Sequence, residues 1–238
     1  MMSEKAFLAA YDPKDYPAVL VTVDAALFTF HQQQLLVLLT KRLNYPDMGK
    51  WALPGGFIDP ARDRSLEDAA TRKVIEKTGV TPPYFEQLLT IGSDSRDKRG
   101  WSVTVSYTAL IAYQKSAPGI ESVSDARWLA VDELDTADLA FDHRFIIEQA
   151  RERLRQKALY SIVPAFALPE KFTLPELQRI HEVLIGKPLQ KKSFRRRIEQ
   201  ADLLLDTGMK RHEGGRPATL YKMRARSGRF TFVRNLEE

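Results

Sequence analysis

Lys73, Glu76 and Lys77 stand at positions i, i+3 and i+4 of a segment opened by Ser65 and closed by Gly79. That spacing puts all three on one face of a helix. Carboxylates on such a face, behind a glycine turn such as Gly55-Gly56, are what a metal-assisted phosphohydrolase needs, because a hard divalent cation takes anionic oxygen ligands held close together. Here two of the three groups are ammonium ions, so the face carries a formal +1 where three carboxylates would carry −3. At about 4 Å each like-charge contact costs from ~1 kcal/mol in water to ~4 kcal/mol at an intermediate dielectric. A divalent cation loses ligands here and meets repulsion, so neither a metal site nor a catalytic residue is assigned.

The surrounding residues still form a frame that suits a nucleoside diphosphate. Trp51-Ala52-Leu53-Pro54-Gly55-Gly56-Phe57 reads as a short strand entering a glycine turn, and Ser65 with Asp68 reads as a helix N-cap that Gly79 later stops. An ordinary capped amphipathic helix explains Ala69, Ala70, Val74 and Gly79, but not Leu53 to Phe57 just upstream. Between two predicted strands, Ser95-Arg96-Asp97-Lys98-Arg99-Gly100-Trp101 offers three cations, one carboxylate and an indole. Guanidinium groups grip pyrophosphate bidentately, a carboxylate accepts from ribose hydroxyls, and an indole stacks on a base. A charged hairpin tip is the bland alternative. Asp142 and His143 read either as pocket wall or as a helix start with Asp142 as its cap.

These groups need a scaffold to converge. Ala18 to Val23 and Gln34 to Leu39 alternate as a hairpin joined by His31-Gln32-Gln33, and Phe85 to Ile91, Ser102 to Tyr113 and Ala126 to Val131 read as further strands. Helical spacing runs from Asp142 to Tyr160 through Ile146, Ile147, Ala150 and Leu154. Sheet plus helices predicts an α/β sandwich with a mixed sheet. The 238 residues, 44% of them hydrophobic, are enough for two modest domains. The expected boundary lies near residue 160: residues 1–160 for ligand sensing, residues 161–238 for DNA, with Pro164 to Pro169 as the linker. No apolar run reaches the roughly 18 residues of a membrane span, no signal peptide opens the chain, and cysteine is absent; a cytoplasmic protein with no membrane partner is expected.

Charge divides the chain unevenly. Residues 161–238 carry 16 Lys and Arg against 9 Asp and Glu, whereas residues 1–160 carry 20 against 22, a polarity that fits a basic nucleic-acid-binding module attached to a near-neutral one. Thr173-Leu174-Pro175-Glu176 is a capping box for a helix whose apolar face is Leu177, Ile180, Val183 and Leu184. A second helix is expected from about Ser193, with Ile198, Ala201, Leu204 and Leu205 facing inward and five cations within Lys191 to Arg197. A basic first turn opposes the helix macrodipole and calls for an anionic partner, which fits a recognition helix in the major groove. Lys210 to Tyr221 reads as a hairpin wing around Gly214-Gly215-Arg216-Pro217, predicting an α+β winged helix-turn-helix.

Taken together, Trp51 to Phe57, the degenerate box ending Lys77-Thr78-Gly79, Arg96 to Gly100, Ala140-Phe141-Asp142-His143 and Gly214 to Pro217 resemble the Nudix-related transcriptional regulators of NAD metabolism, the NrtR family. The resemblance covers nearly the whole chain. In the usual Nudix box the positions of Lys73 and Lys77 hold glutamates, and Asp59 to Arg64 is two residues longer than the usual box loop. The resemblance implies a Nudix sandwich followed by a winged helix, a homodimer on a palindromic operator, and ADP-ribose as the effector that releases DNA, with no cofactor required. The candidate ligand residues are Arg42, Trp51, Phe57, Arg72, Arg96, Asp97, Arg99, Trp101 and His143. The candidate DNA residues are Thr173, Lys191, Lys192, Ser193, Arg195, Arg196, Arg197, Arg216 and Lys222. The apolar stretch Ala6 to Tyr11 is expected to pack on the second subunit. Two alternatives stay open: an active ADP-ribose pyrophosphatase using Glu67, Asp68 and Glu76 as substitute ligands, and a regulator of the same build that senses a sugar.

Overall fold

The computed structural model describes residues 2–79, 81–113, 126–212 and 217–224. Strands β1 (Leu20–His31) and β2 (Gln34–Lys41) form the expected hairpin. Gln32 and Gln33 both take positive φ, 47° and 65°, the turn whose twist matches the strands it joins. β3 (Trp51–Ala52) pairs antiparallel with the end of β2, and β4 (Gly55–Phe57) pairs antiparallel with Thr22 to Asp24 of β1. Beyond helix α2 (Leu66–Thr78) come β5 (Tyr84–Ser93) and β6 (Ser102–Leu110), and β6 runs parallel to β1 from Leu20↔Ser102 to Phe28↔Leu110. β7 (Ala126–Ala130) closes on the other side of β2.

β1 is buried without a break from Thr22 to Thr29, as a strand covered on both faces must be. One cover is α2, whose Ala69, Ala70 and Val74 pack on Val23, Leu27 and Val105. The other is α3 (His143–Tyr160), whose Ile146, Ile147, Ala150 and Leu154 meet Phe28, Val37 and Leu39. Each such side chain contributes roughly 1.5–3 kcal/mol relative to exposure. The α/β/α sandwich is the one the periodicities predict.

The segment expected as a linker is a 3₁₀ turn, Val163–Ala167, with Val163, Pro164, Ala165 and Ala167 buried and Phe166 stacked on Tyr84 at 5.6 Å. Its prolines suggest a spacer, but every side chain around them is apolar, and burial wins. Helices α4 (Leu174–Ile185) and α5 (Lys191–Ala201) follow, then the hairpin β8 (Leu204–Arg211) and β9 (Ala218–Met223). α5 begins two residues before Ser193 because the Gln190 side chain accepts from Ser193 N. Leu204 and Leu205 are not on the helix, as the apolar pattern had them, but open β8, because Asp202 adopts φ 50° and ends the helix at Ala201. One apolar cluster runs from Ala26 on the sheet to Leu203 beyond α5. At the other end, α1 (Glu4–Ala10) buries no residue in the single chain and leaves Phe7, Leu8 and Tyr11 exposed. No described helix is long and apolar enough to cross a membrane.

Candidate functional site

A cavity of about 230 Å³ opens where β1, β4 and the start of α3 meet. At its floor lies Asp24, a buried carboxylate inside an otherwise apolar strand. Thr104 Oγ1 donates to its Oδ2 at 2.7 Å, His143 Nε2 stands 3.5 Å from its Oδ1, and Arg96 Nη2 stands 3.8 Å from its Oδ2. Burial alone would raise this carboxyl, but His143, Thr104 and Arg96 outweigh it and hold Asp24 below the ordinary carboxylate value. His143 Nδ1 accepts from Leu53 N at 2.9 Å, so in the neutral ring the proton sits on Nε2, toward Asp24. Gly55 is required here: a Cβ on it would lie 2.1 Å from Asp24 Oδ1 and 2.5 Å from the Val23 carbonyl oxygen.

The cavity's arginines are each held. Arg96 donates to both oxygens of Asp142 at 3.0 and 2.9 Å, and Arg99 donates to Asp97 at 2.7 Å while lying 4.8 Å above the Phe57 ring. Arg42 donates to the carbonyls of Pro46 and Asn44 at 2.9 and 3.3 Å, with its guanidinium 4.5 Å from the Phe141 ring. Phe141 itself takes φ 53°, with its N–H on Asp47, a costly conformation for an aromatic residue that the surrounding contacts impose. Lys77 completes the wall. Burial pulls its ammonium below the ordinary lysine value; Asp24 opposes that shift, and Lys73 and Arg42 reinforce it. Four cations thus face two carboxylates, Asp24 and Asp97, around a cleft walled by rings. A second hollow of about 490 Å³ shares Arg96 and Phe141 and continues past Lys98 and Ser95. Neighbouring hollows with an excess of positive charge suit an extended polyanion.

Arg42, Phe57, Arg96, Asp97, Arg99 and His143 of the candidate ligand set line this cavity. Three members lie elsewhere. Trp51 is held between Arg127 at 4.2 Å and Lys41 at 5.8 Å. Trp101 is half exposed and covers Gly92, where a Cβ would meet its Cη2 at 3.0 Å. Arg72 donates to both oxygens of Asp63 at 2.6 Å and to Glu76 at 3.1 Å, which ties the 59–63 loop to α2. Spacing alone does not say which side of a loop or helix such groups cover. Asp97 lines the cavity but is only 3% exposed, and Arg99 already engages both of its oxygens. Asp142 occupies the N-cap position of α3 but makes no capping bond, because Arg96 takes it. Asp24 and Thr104 were not among the candidate site residues, although a carboxylate within an apolar strand signals a buried partner.

The divalent ion of a phosphohydrolase does not fit this frame. Glu76 is surrounded by Arg72, Lys73 and Arg62 at 3.1, 3.5 and 3.2 Å, while Glu67 and Asp68 are exposed at the far end of α2. Among the described residues no three acidic or histidine side chains are grouped to hold a metal.

The second surface lies on α5. Phe194 and Ile198 bury its inner face, leaving Lys191, Lys192 and Arg196 exposed, with Ser193, Arg195 and Arg197 half buried beside them. None of these five cations makes an ion pair with a described carboxylate. Its first turn holds no acidic residue, so the positive end of the helix dipole and the basic side chains add. Lys222 is exposed on β9, and Arg216 lies outside the described residues. Thr173 has a structural duty: it is buried, its N–H donates to Glu176 Oε2 at 2.7 Å, and its hydroxyl accepts from Glu176 N at 3.3 Å. Glu176 also receives Arg211 of β8 at 2.7 Å, so this capping box seats the hairpin against α4.

Two family models match the chain: the NUDIX domain over residues 19–150 and the NrtR DNA-binding winged helix domain over residues 164–223. An Acinetobacter baylyi protein named ADPR responsive transcriptional repressor NtrR is 45% identical over 235 residues, covering 99% of this chain and 94% of its own length. The crystal structure of Shewanella oneidensis NrtR complexed with a 27mer DNA is 62% identical, with a TM-score of 0.86 over 91% of this chain and 99% of that one. The NUDIX domain of the same Shewanella protein complexed with ADP ribose is 58% identical, with a TM-score of 0.62 over 64% of this chain and 99% of that one.

Proposed function

The chain belongs to the NrtR family of Nudix-related transcriptional regulators, and from that premise we propose that it is an ADP-ribose-responsive repressor of genes for NAD synthesis and salvage. ADP-ribose enters the cavity at the end of the sheet, α5 reads operator DNA, and occupancy of the first site releases the second. It works as a homodimer on a palindromic operator in the cytoplasm, binds its effector without hydrolysing it, and requires no cofactor. The observation that supports this reading best is the cavity itself, which has an excess of cations and rings to stack on, with no carboxylate cluster for a metal among the described residues.

Helix α3 is the natural link between the two sites. Its N-terminus begins beside Asp142, which Arg96 holds in the cavity wall, and its C-terminus leads into the buried turn that carries α4. Eighteen residues at 1.5 Å each span about 27 Å. A diphosphate competing for Arg96 loosens Asp142 and shifts that end of the rod. Half-sites of a palindrome lie about one helical turn apart, so a small rotation of one winged helix against the other breaks register for one of them. Phe7 and Leu8 of the exposed α1, with Tyr11 beyond it, supply a surface for the second subunit.

Fluorescence anisotropy on the palindromic DNA upstream of the gene, titrated with ADP-ribose with and without magnesium while AMP is assayed, tests the reading. Loss of DNA binding with ADP-ribose recovered intact is the expected result. Magnesium-dependent AMP would make the chain a hydrolase, and release by a sugar but not by ADP-ribose would change the effector.

A further inference from the structure

Of the two lysines that stand at metal-ligand positions, one has an ammonium group that makes no hydrogen bond or ion pair with a described residue. Among the described residues Arg42, Arg96 and Arg99 each donate to carbonyls or carboxylates at 3.5 Å or less. Lys73 reaches Glu76 at 3.5 Å, and its stem passes Gly56, where a Cβ would meet its Cε at 3.2 Å. Gly56 has φ 147°, so the close approach of this stem and the backbone both favour glycine. Lys77 alone of the cavity cations makes no hydrogen bond or ion pair with a described residue, yet it is partly buried and lines the cavity beside Gly55 and Gly56. A desolvated ammonium that only distant carboxylates such as Asp24 offset is costly. It becomes favourable when an anion arrives in the same low-dielectric site, where a charge-assisted hydrogen bond is about twice as strong as a neutral one.

Deepening the proposed function and resting on it, we infer that Lys77 is the fixed cation that holds the diphosphate of the effector, occupying the place where a hydrolase of this fold would put a divalent ion. One residue then has two consequences. Binding needs no metal, and the site cannot polarise the phosphoanhydride for attack by a metal-bound water. A lysine is a point charge free to meet either phosphate, which complements the rigid forks of Arg96 and Arg99.

The test is calorimetric titration of the full chain with ADP-ribose, AMP and adenosine, with EDTA and then with magnesium, for the wild type, Lys77→Gln and Lys77→Arg. The wild type is expected to bind ADP-ribose equally well in EDTA and magnesium. Lys77→Gln should weaken ADP-ribose by about tenfold or more, the value of one charged hydrogen bond, weaken AMP less and leave adenosine unchanged, while Lys77→Arg keeps most of the affinity. Operator binding through α5 reports whether each variant is folded. Should Lys77→Gln not fold, a magnesium requirement in the wild type or loss of binding in Lys77→Arg decides against the inference. ADP-ribose binding that is unchanged in Lys77→Gln, or adenosine weakened as much as ADP-ribose, overturns the role of Lys77 and leaves the repressor reading standing. Absence of ADP-ribose binding in the wild type overturns both.

Discussion

The cavity and the outer face of α5 are built from the same two residue types and use them in opposite ways. In the cavity Arg96 is tied to Asp142, Arg99 to Asp97 and Arg42 to two carbonyls, so the guanidinium planes are set before any ligand arrives. On α5, Lys191, Lys192, Arg195, Arg196 and Arg197 have no described carboxylate to hold them, and their charge faces outward. Pairing fixes orientation and lowers net attraction. Leaving charges unpaired forgoes orientation and maximises attraction to a polyanion through counterion release. A small ligand that must be recognised calls for the first arrangement, and a long duplex approached from solution suits the second.

The contrast breaks first at Arg96. Arg96→Met strands Asp142 and removes one of the three partners of the buried Asp24, and is expected to cost about 3 kcal/mol of unfolding free energy in a urea titration, along with ADP-ribose binding. A loss below about 1 kcal/mol would rank the pair with ordinary surface bridges. Replacing Arg195, Arg196 and Arg197 together by alanine should weaken operator binding about 100-fold at physiological salt and make the slope of log affinity on log salt shallower by about 2 to 3. Calorimetric ADP-ribose binding should not change in that variant. An unchanged salt slope would remove α5 from the DNA interface.

The smallest effect separates the two surfaces by pH. Lys77 faces Asp24, Lys73, Arg42 and Glu76, and burial is the main cause that lowers it from the ordinary lysine value of 10.5. Only its protonated form attracts the diphosphate, so ADP-ribose affinity is full below the Lys77 value in the free protein and falls as pH rises through it. The share of operator affinity carried by Arg195, Arg196 and Arg197 stays level over the same alkaline range. Parallel decline of both affinities would show that the protein as a whole, not Lys77, responds to pH.

The sheet strands, α3, the capping box at Thr173 and the basic helix were legible because each is a local pattern of period, cap or charge. Six of the nine candidate ligand residues line the cavity, since guanidinium and imidazole groups near a glycine turn are informative by type. Trp51, Arg72 and Trp101 have the same chemistry and different neighbours. The 3₁₀ turn at Val163–Ala167 looked like a linker because proline is a local signal and burial is not.

Residue order by itself determined that a charge-reversed helix face follows a glycine turn, that a basic helix and hairpin lie at the other end, and that two lysines stand where a metal would need oxygen. These depend on residue type and spacing along a few turns of chain. Only the tertiary structure decided that Asp24, Leu53, Arg96, Thr104, Asp142 and His143 share one network, that Lys77 is the cavity cation without a described partner, and that α3 joins that network to the winged helix. Those facts depend on strand pairing such as β1 with β6, across about eighty residues. Hydrogen bonds and burial at such separations are set by packing, and no local stretch of sequence encodes them.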